Sequence, residues 1–150
     1  MAGRSALINV MHKASMAASK RLMRDFGEVE NLQVTRKGSA DFVSQADISA
    51  ERTIQAELAK ARPDWGFIME EAGQIDAADK DAPCWIIDPI DGTTNFLHGI
   101  PHFAISIAVM DKGKITAGTV FDPARNEFYF AETGTGAFLN DRRIRVSGRR

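Results

Sequence analysis

Two carboxylates that follow an apolar segment are the first sign of chemistry in this sequence. Asp88 and Asp91 stand three residues apart around Pro89, and Gly92 follows directly. Pro89 fixes its own φ angle and disfavours helix at Asp88, while Gly92 permits backbone conformations closed to most residues. The pattern therefore predicts a tight, rigid arc, and rigid placement of acids is what a metal site needs.

Polar residues that follow this arc suit a phosphate. Thr93, Thr94 and Asn95 are residues that cap helices, so we predict a short helix here. The free N–H groups at the start of such a helix would point back into the arc, an arrangement that holds anions. The sequence thus predicts a cation site and an anion site side by side.

A second pair of acids stands at another predicted strand exit. Glu70 and Glu71 follow the apolar run Gly66–Met69, and the two exits could converge. Two like charges about 4 Å apart at an effective dielectric near 20 repel by roughly 4 kcal/mol, and a cation would relieve that repulsion. The candidate ligands are all oxygens and the sequence has no Cys/His zinc spacing, so we expect Mg²⁺.

Each motif alone has an ordinary explanation. An Asp-Gly pair is commonly a hairpin turn, and a Glu-Glu pair is usually a solvated strand end. The joint order from the apolar strand through Asp88–Asn95 to Gly99–Phe103 is far more specific than its parts, and it favours a functional site.

The elements that must position these acids begin with two predicted helices. Segment 36–40 is interpreted as a turn-rich connector, and Asp47 as the N-cap of a second helix over about 48–61, with Glu51 as an acid in its first turn and Pro63 beyond its end. The first helix is predicted from an apolar stripe at helical spacing, formed by Leu7, Met11, Ala14, Ala18 and Leu22.

From Trp65 onward the apolar period changes towards two, which predicts strands. Segments 111–114 and 122–126 are short enough for hairpin turns, so the later strands should pair antiparallel. Two helices followed by a meander define an α+β fold in one domain, or part of one, over residues 1–150. The predicted strands are 66–69, 85–87, 104–110, 115–121, 127–131 and, after a turn-rich stretch at 134–140, 144–147.

Composition excludes several classes of protein. The 150 residues carry 19 Lys+Arg and 20 Asp+Glu, so bulk attraction to nucleic acid is unfavourable. Cys84 is the single cysteine, so no internal disulfide forms and a cytoplasmic location is expected. No apolar run approaches the roughly 20 residues of a membrane span. The basic end, Arg142–Arg150, suits a solvated strand end or an RNA or phosphate contact equally well.

The chain resembles the inositol monophosphatases, in the larger group of Mg²⁺-dependent, lithium-sensitive sugar and nucleotide phosphatases. The matching segments are Asp41–Asp47, Glu70-Glu71 and Trp85–Phe96, extending through Gly99 to Val109. The resemblance implies a layered α/β sandwich of the sugar-phosphatase type, with N-terminal helices packed on a large antiparallel sheet. It also implies hydrolysis of a small phosphate monoester, most simply inositol 1-phosphate, by a homodimer.

The resemblance assigns metal ligands. Glu70, Asp88 and the backbone carbonyl of Ile90 would bind the first Mg²⁺, and Asp88 and Asp91 would hold the second. Each of these positions carries the residue that the family pattern requires.

The resemblance also assigns catalytic and substrate-binding roles. Glu70 and Thr93 would flank the attacking water, and a hydrogen bond from Thr93 to Asp47 would orient the threonine hydroxyl. The main-chain N–H groups of Gly92 and Thr93 would bind phosphate oxygens, and Asp91 and Glu70 would also border the substrate. Water is the expected nucleophile, so no covalent phosphoenzyme is expected.

One family motif is missing. The family's second half carries a Trp-Asp pair whose aspartate joins the second metal, whereas here Trp65 precedes Gly66 and Trp85 precedes Ile86. We therefore expect that the chain lacks the C-terminal half, belongs to a longer protein and is catalytically crippled alone. The alternative substrates are fructose 1,6-bisphosphate, 3′-phosphoadenosine nucleotides and histidinol phosphate. A non-catalytic RNA or transcription partner is the alternative of another class.

Overall fold

The computed structural model describes residues 3–32 and 36–149, which form two long helices on one face of a mixed sheet. The helices are α1 (Ala6–Leu32) and α2 (Arg36–Ala61). The elements that follow are β1 (Gly66–Met69), β2 (Gly73–Ile75), β3 (Cys84–Asp91), α3 (Thr93–Leu97), β4 (Ala104–Asp111), β5 (Lys114–Asp122), β6 (Glu127–Glu132), β7 (Gly136–Leu139) and β8 (Arg142–Ile144).

Helix α1 confirms the predicted first helix, with a small shift of its buried stripe. The hydroxyl of Ser5 accepts a hydrogen bond from the N–H of Ile8 at 3.1 Å and so caps the helix start. Ile8 is buried, whereas Leu7 is only partly buried. The rest of the stripe lies in the core as predicted: Met11, Ala14, Ala18 and Leu22.

The predicted start of the second helix is wrong. Segment 36–40 is helical, so Asp47 lies inside α2 and is not its N-cap. The local turn signal at Gly38 and Ser39 is weak beside the packing of α2 on α1, and packing of a buried face outweighs propensity in long helices. That buried face consists of Val43, Ala46, Asp47, Ala50, Glu51, Ile54 and Leu58.

The sheet has eight strands in the order β2-β1-β3-β4-β5-β6-β7-β8. Both predicted hairpins are present, because β4–β5 and β5–β6 are antiparallel neighbours. Strands β2 and β7 and the full length of β3 exceed the prediction, and β8 (Arg142–Ile144) ends where the predicted strand 144–147 begins.

The large sheet is antiparallel as predicted except at one pair, because β1 and β3 are parallel. Gly66 pairs with Cys84 and Met69 pairs with Ile87. The chain turns back through β2, which is antiparallel to β1, and crosses residues 76–83 before it enters β3 in the direction of β1. Because the two strands run in the same direction, the residue that follows β1 lies beside Asp88, and β3 continues to Asp91.

Alternating side chains of the sheet form the core beneath the helices. In β3 the buried residues are Trp85, Ile87, Pro89 and Ile90. In β4 they are Ile105, Ile107 and Val109. The intervening positions are only partly buried. Among the described residues, no helix is long and apolar enough to cross a membrane.

An aromatic cluster attaches α3 to α1. Phe26 of α1 lies 5.5 Å from Phe96 and 5.1 Å from Phe103 between ring centroids, and the latter two rings are 4.9 Å apart. Phe96 is fully buried. Because aromatic pairs at these distances are attractive and stiff, this cluster fixes where the chain leaves the arc after β3.

Candidate active site

The parallel ends of β1 and β3 place Glu70 beside Asp88. Met69 pairs with Ile87, so the next residue on each strand lies next to its counterpart. A hydrogen bond between the Glu70 and Asp88 carboxyl groups, together with burial and the negative charges of nearby acids, raises the pKa of Glu70 to about 7. The two strand exits therefore converge.

Helix α2 adds a third acid to this edge of the sheet. Asp47 is only 6% exposed. One carboxylate oxygen each from Asp47, Glu70 and Glu71 lie within 4.8 Å of one another. Burial is the main cause that raises the pKa of Asp47 to about 7, and the charges of Glu70, Glu71, Asp88 and Glu51 add to it. We call Asp47, Glu70, Glu71 and Asp88 the acidic cluster.

Two oxygens of the acidic cluster are buried without a hydrogen bond. Among the described residues, neither Oδ1 of Asp47 nor Oδ1 of Asp88 has a partner. A buried polar atom without a partner is costly, and a cluster of like charges adds repulsion. A divalent cation would relieve both costs, and a donor set made only of oxygens suits a hard ion such as Mg²⁺. The residues present therefore fit a metal ion.

The predicted rigid arc is a bulge within the end of β3, so Asp88 and Asp91 lie in the strand rather than beyond it. Asp88 pairs with Ser106 and Asp91 pairs with Ala104, so the pairing register shifts between the two acids. Gly92 then adopts φ 99° and ψ 38°, a left-handed conformation. A Cβ atom at Gly92 would lie 3.0 Å from the carbonyl oxygen of His102, so glycine is needed both for its backbone angles and for space.

Asp91 ends the arc and faces a groove. It is exposed, and it is not one of the three residues whose oxygens gather within 4.8 Å. The groove has a volume of about 440 Å³, and its walls include Asp91, Gly92, His102, Arg125 and Tyr129. Its size is in the range of pockets that hold small metabolites.

Thr93 has a different partner from the one that the resemblance implies. Its hydroxyl donates to the carbonyl oxygen of Ile90 at 3.0 Å, rather than to Asp47. The carbonyl of Ile90 keeps a second lone pair, because a carbonyl oxygen accepts two hydrogen bonds or ligands. The backbone therefore curls tightly between Ile90 and the first residue of α3.

Glu51 is a residue that the sequence interpretation missed. It is 2% exposed, and its two carboxylate oxygens accept hydrogen bonds from the N–H groups of Glu71 and Ala72, each at 2.9 Å. The available signal was its spacing of four from Asp47, which places both acids on one face of a helix. That signal was hidden because Asp47 was interpreted as the helix cap.

Comparison with known proteins identifies the class. Residues 4–150 match the inositol monophosphatase family. The structure resembles that of the extragenic suppressor protein suhB from Bartonella henselae, with a TM-score of 0.86 and 57% identity over 97% of this chain and 56% of that one. The chain therefore belongs to the inositol monophosphatase family.

Two curated relatives carry different names. An inositol-1-monophosphatase of Mesorhizobium japonicum is 60% identical over 146 residues, which are 97% of this chain and 54% of that protein. The Nus factor SuhB of Pseudomonas aeruginosa is 43% identical over 145 residues, which are 96% of this chain and 54% of that protein. The chain thus spans about half the length of the curated relatives that it matches.

Proposed function

We propose that residues 1–150 form the N-terminal part of a phosphatase domain that hydrolyses a phosphate monoester in the presence of Mg²⁺, with inositol 1-phosphate as the first candidate substrate. The observation that carries this proposal is the acidic cluster, in which Asp47 and Asp88 each bury a carboxylate oxygen without a partner. The 60% identical relative is named an inositol-1-monophosphatase, which supports the same reaction.

The proposed ligands follow from the strand ends. Glu70, Asp88 and the Ile90 carbonyl would hold one ion, and Asp88 and Asp91 would hold a second. Bound Mg²⁺ would make a water molecule more acidic and offset the charge of the phosphate.

Glu70 and Thr93 are the proposed groups that orient the attacking water. Glu70 would act as the base, because its carboxylate lies beside Asp88, where the attacking water would bind. The Thr93 hydroxyl donates its hydrogen bond to the Ile90 carbonyl, so the lone pairs of the hydroxyl oxygen can accept a hydrogen bond from water. Asp47 borders the same space, because one of its carboxylate oxygens lies within 4.8 Å of an oxygen of Glu70 and of an oxygen of Glu71.

The start of α3 is the proposed phosphate site. The first N–H groups of a helix have no partner within it, so those of Gly92 and Thr93 are available to phosphate oxygens. The groove beside Asp91 would receive the alcohol part of the substrate. Fructose 1,6-bisphosphate, a 3′-phosphoadenosine nucleotide and histidinol phosphate are the competing substrates, and a panel of all four distinguishes them.

The test uses a chimera. Because the chain covers 54% of the Mesorhizobium japonicum protein, we would join it to the remaining C-terminal portion of that relative and measure phosphate release from inositol 1-phosphate. We expect release that requires Mg²⁺ and stops with a chelator. Asp88→Asn should reduce it by at least about a thousandfold, while Asp111→Asn, at the opposite end of the sheet, should not. Release that persists in Asp88→Asn or without metal contradicts the proposal.

A cytoplasmic homodimer is part of the same proposal. The balanced charge and the single cysteine support the location. Light scattering of the chimera should give twice the mass of one chain, and a single-chain mass would contradict the dimer.

A regulatory role in transcription is the second candidate. The 43% identical relative is named a Nus factor, and the arginines Arg142, Arg143, Arg145 and Arg149 are exposed. The substitution Asp88→Asn separates the two functions in a deletion strain. Rescue of the growth phenotype by the Asp88→Asn protein would indicate regulation, whereas loss of rescue would indicate catalysis.

A further inference from the structure

Glu51 is a buried acid whose partners come from a distant part of the chain. It lies on α2, one helical turn after Asp47, with 2% of its surface exposed. Its oxygen Oε1 accepts from the N–H of Glu71 and its oxygen Oε2 accepts from the N–H of Ala72, both at 2.9 Å. Hydrogen bonds from N–H groups to a carboxylate are stronger than neutral ones, so this is a firm two-point attachment.

The attached segment has little else to hold it. Strand β1 ends at Met69 and β2 begins at Gly73, so residues 70–72 form the turn between them. The side chains of Glu70, Glu71 and Ala72 are all exposed, which means that packing contributes little to the conformation of this turn. The same turn carries Glu70, which must face Asp88.

We propose that Glu51 is a positioning residue that holds the turn 70–72 against α2 and thereby sets the carboxylate of Glu70 for metal binding. Helix α2 carries Asp47 on its own backbone and reaches Glu70 and Glu71 through Glu51. One rigid element therefore places three acids that repel one another within 4.8 Å. The metal-binding part of this proposal rests on the proposed function, whereas the attachment itself does not.

The first experiment measures amide hydrogen exchange at Glu71 and Ala72 in the metal-free chain. Glu51→Gln keeps the size of the side chain but replaces one acceptor by a donor, and Glu51→Asp keeps the charge but is one methylene too short. Both should speed exchange at one or both amides by at least about tenfold. The control is Glu57→Gln, on the same helix, whose partner is Lys13 at 3.9 Å. It should leave both amides unchanged.

The second experiment measures, by calorimetry, the affinity for Mg²⁺ of the unmodified chain and of each variant. We expect Glu51→Gln and Glu51→Asp to weaken binding by about 10- to 100-fold, as is common when a residue that orients a metal ligand is changed, and Glu57→Gln to change it by less than about twofold. If negative charge alone mattered, Glu51→Asp would bind Mg²⁺ like the unmodified chain, and that result would overturn the proposal.

The two readouts separate the proposals. If neither the unmodified chain nor the chimera binds Mg²⁺, the proposed function fails, and amide exchange still decides whether Glu51 holds the turn. Unchanged exchange in Glu51→Asp would overturn the positioning role. If both variants unfold, the test uses the unmodified chain. It measures scalar couplings across the hydrogen bonds from the Glu71 and Ala72 nitrogens to the Glu51 carboxylate, and the absence of these couplings would also overturn the positioning role.

Discussion

The two ends of the sheet differ in how much unpaired polar surface they bury and in how closely the backbone is packed. At one end Glu70, which follows β1, lies beside Asp88 of β3, the acidic cluster buries two oxygens that lack partners among the described residues, and the backbone of His102 crowds Gly92. At the other end β4 turns into β5 through Lys112 and Gly113, with φ angles of 52° and 76° and open space around the glycine. The hairpin end has positive φ angles at Lys112 and Gly113 in an open turn, whereas the acidic end combines unpaired buried oxygens with a crowded backbone, and costs of that second kind mark functional sites.

The largest contrast concerns catalysis. Glu70→Gln in the chimera should lower kcat/KM for inositol 1-phosphate by at least about a thousandfold, or about 4 kcal/mol, because it removes the proposed metal ligand and proton acceptor. Glu132→Gln at the hairpin end should change kcat/KM by less than about twofold. Equal effects of the two substitutions would mean that the ends of the sheet do not differ in function.

The second contrast concerns pH and stability without metal. The folded-state pKa of Asp47 is raised from 3.8 to about 7, so the folded chain binds this proton more tightly than the unfolded chain does. Ionisation of Asp47 therefore lowers the free energy of unfolding as pH rises from about 4 to about 7. Below about pH 4 Asp47 is protonated in the folded chain and does not lower the free energy of unfolding. Asp47→Asn should be more stable than the unmodified chain by roughly 2–4 kcal/mol at pH 8 and equal to it near pH 4.

Urea unfolding with a chelator at both pH values measures this difference. Saturating Mg²⁺ should shrink it at pH 8, because an ion that binds the folded chain stabilises it. A constant gap at pH 4 and pH 8 would disprove the buried-carboxylate explanation.

The third contrast compares two glycines with positive φ. Gly92→Ala should cost about 2–3 kcal/mol of stability, because the new Cβ meets the His102 carbonyl at 3.0 Å as well as an unfavourable φ of 99°. Gly113→Ala has the same kind of backbone strain but no neighbour within 4 Å, so it should cost only about 1 kcal/mol. Urea midpoints of the two variants give the comparison, and an equal loss would show that crowding at the arc is unimportant.

The smallest effect is a gain at the hairpin. Lys112 has a φ of 52° in a two-residue turn where asparagine is favoured, so Lys112→Asn should raise stability by about 0.5 kcal/mol. Lys114→Asn removes the same charge one position into β5 and should give no gain. A loss at Lys112→Asn would mean that this turn is also under a constraint that we have not recognised.

Strong local signals were sufficient for much of the fold. The alternating apolar residues predicted β4 and β5 almost to their ends, and the turn between them followed from Lys112-Gly113. The rigid arc after Asp88 followed from a proline and a glycine, because these two residues restrict or extend backbone angles wherever they stand. The start of α2 was not predictable in this way, since α2 as a whole is stabilised by packing on α1.

The sequence by itself determined most of the strands, though not β2 or β7, and the hairpin turns that join β4, β5 and β6, because these properties depend on neighbouring residues. Only the tertiary structure decided that β1 and β3 run parallel, that Glu70 therefore meets Asp88, and that α2 brings Asp47 and Glu51 to the same edge. These contacts join residues that are far apart in the chain, so they depend on sheet register and on how the helices dock. Register and docking are set by the burial of the whole core rather than by any local pattern.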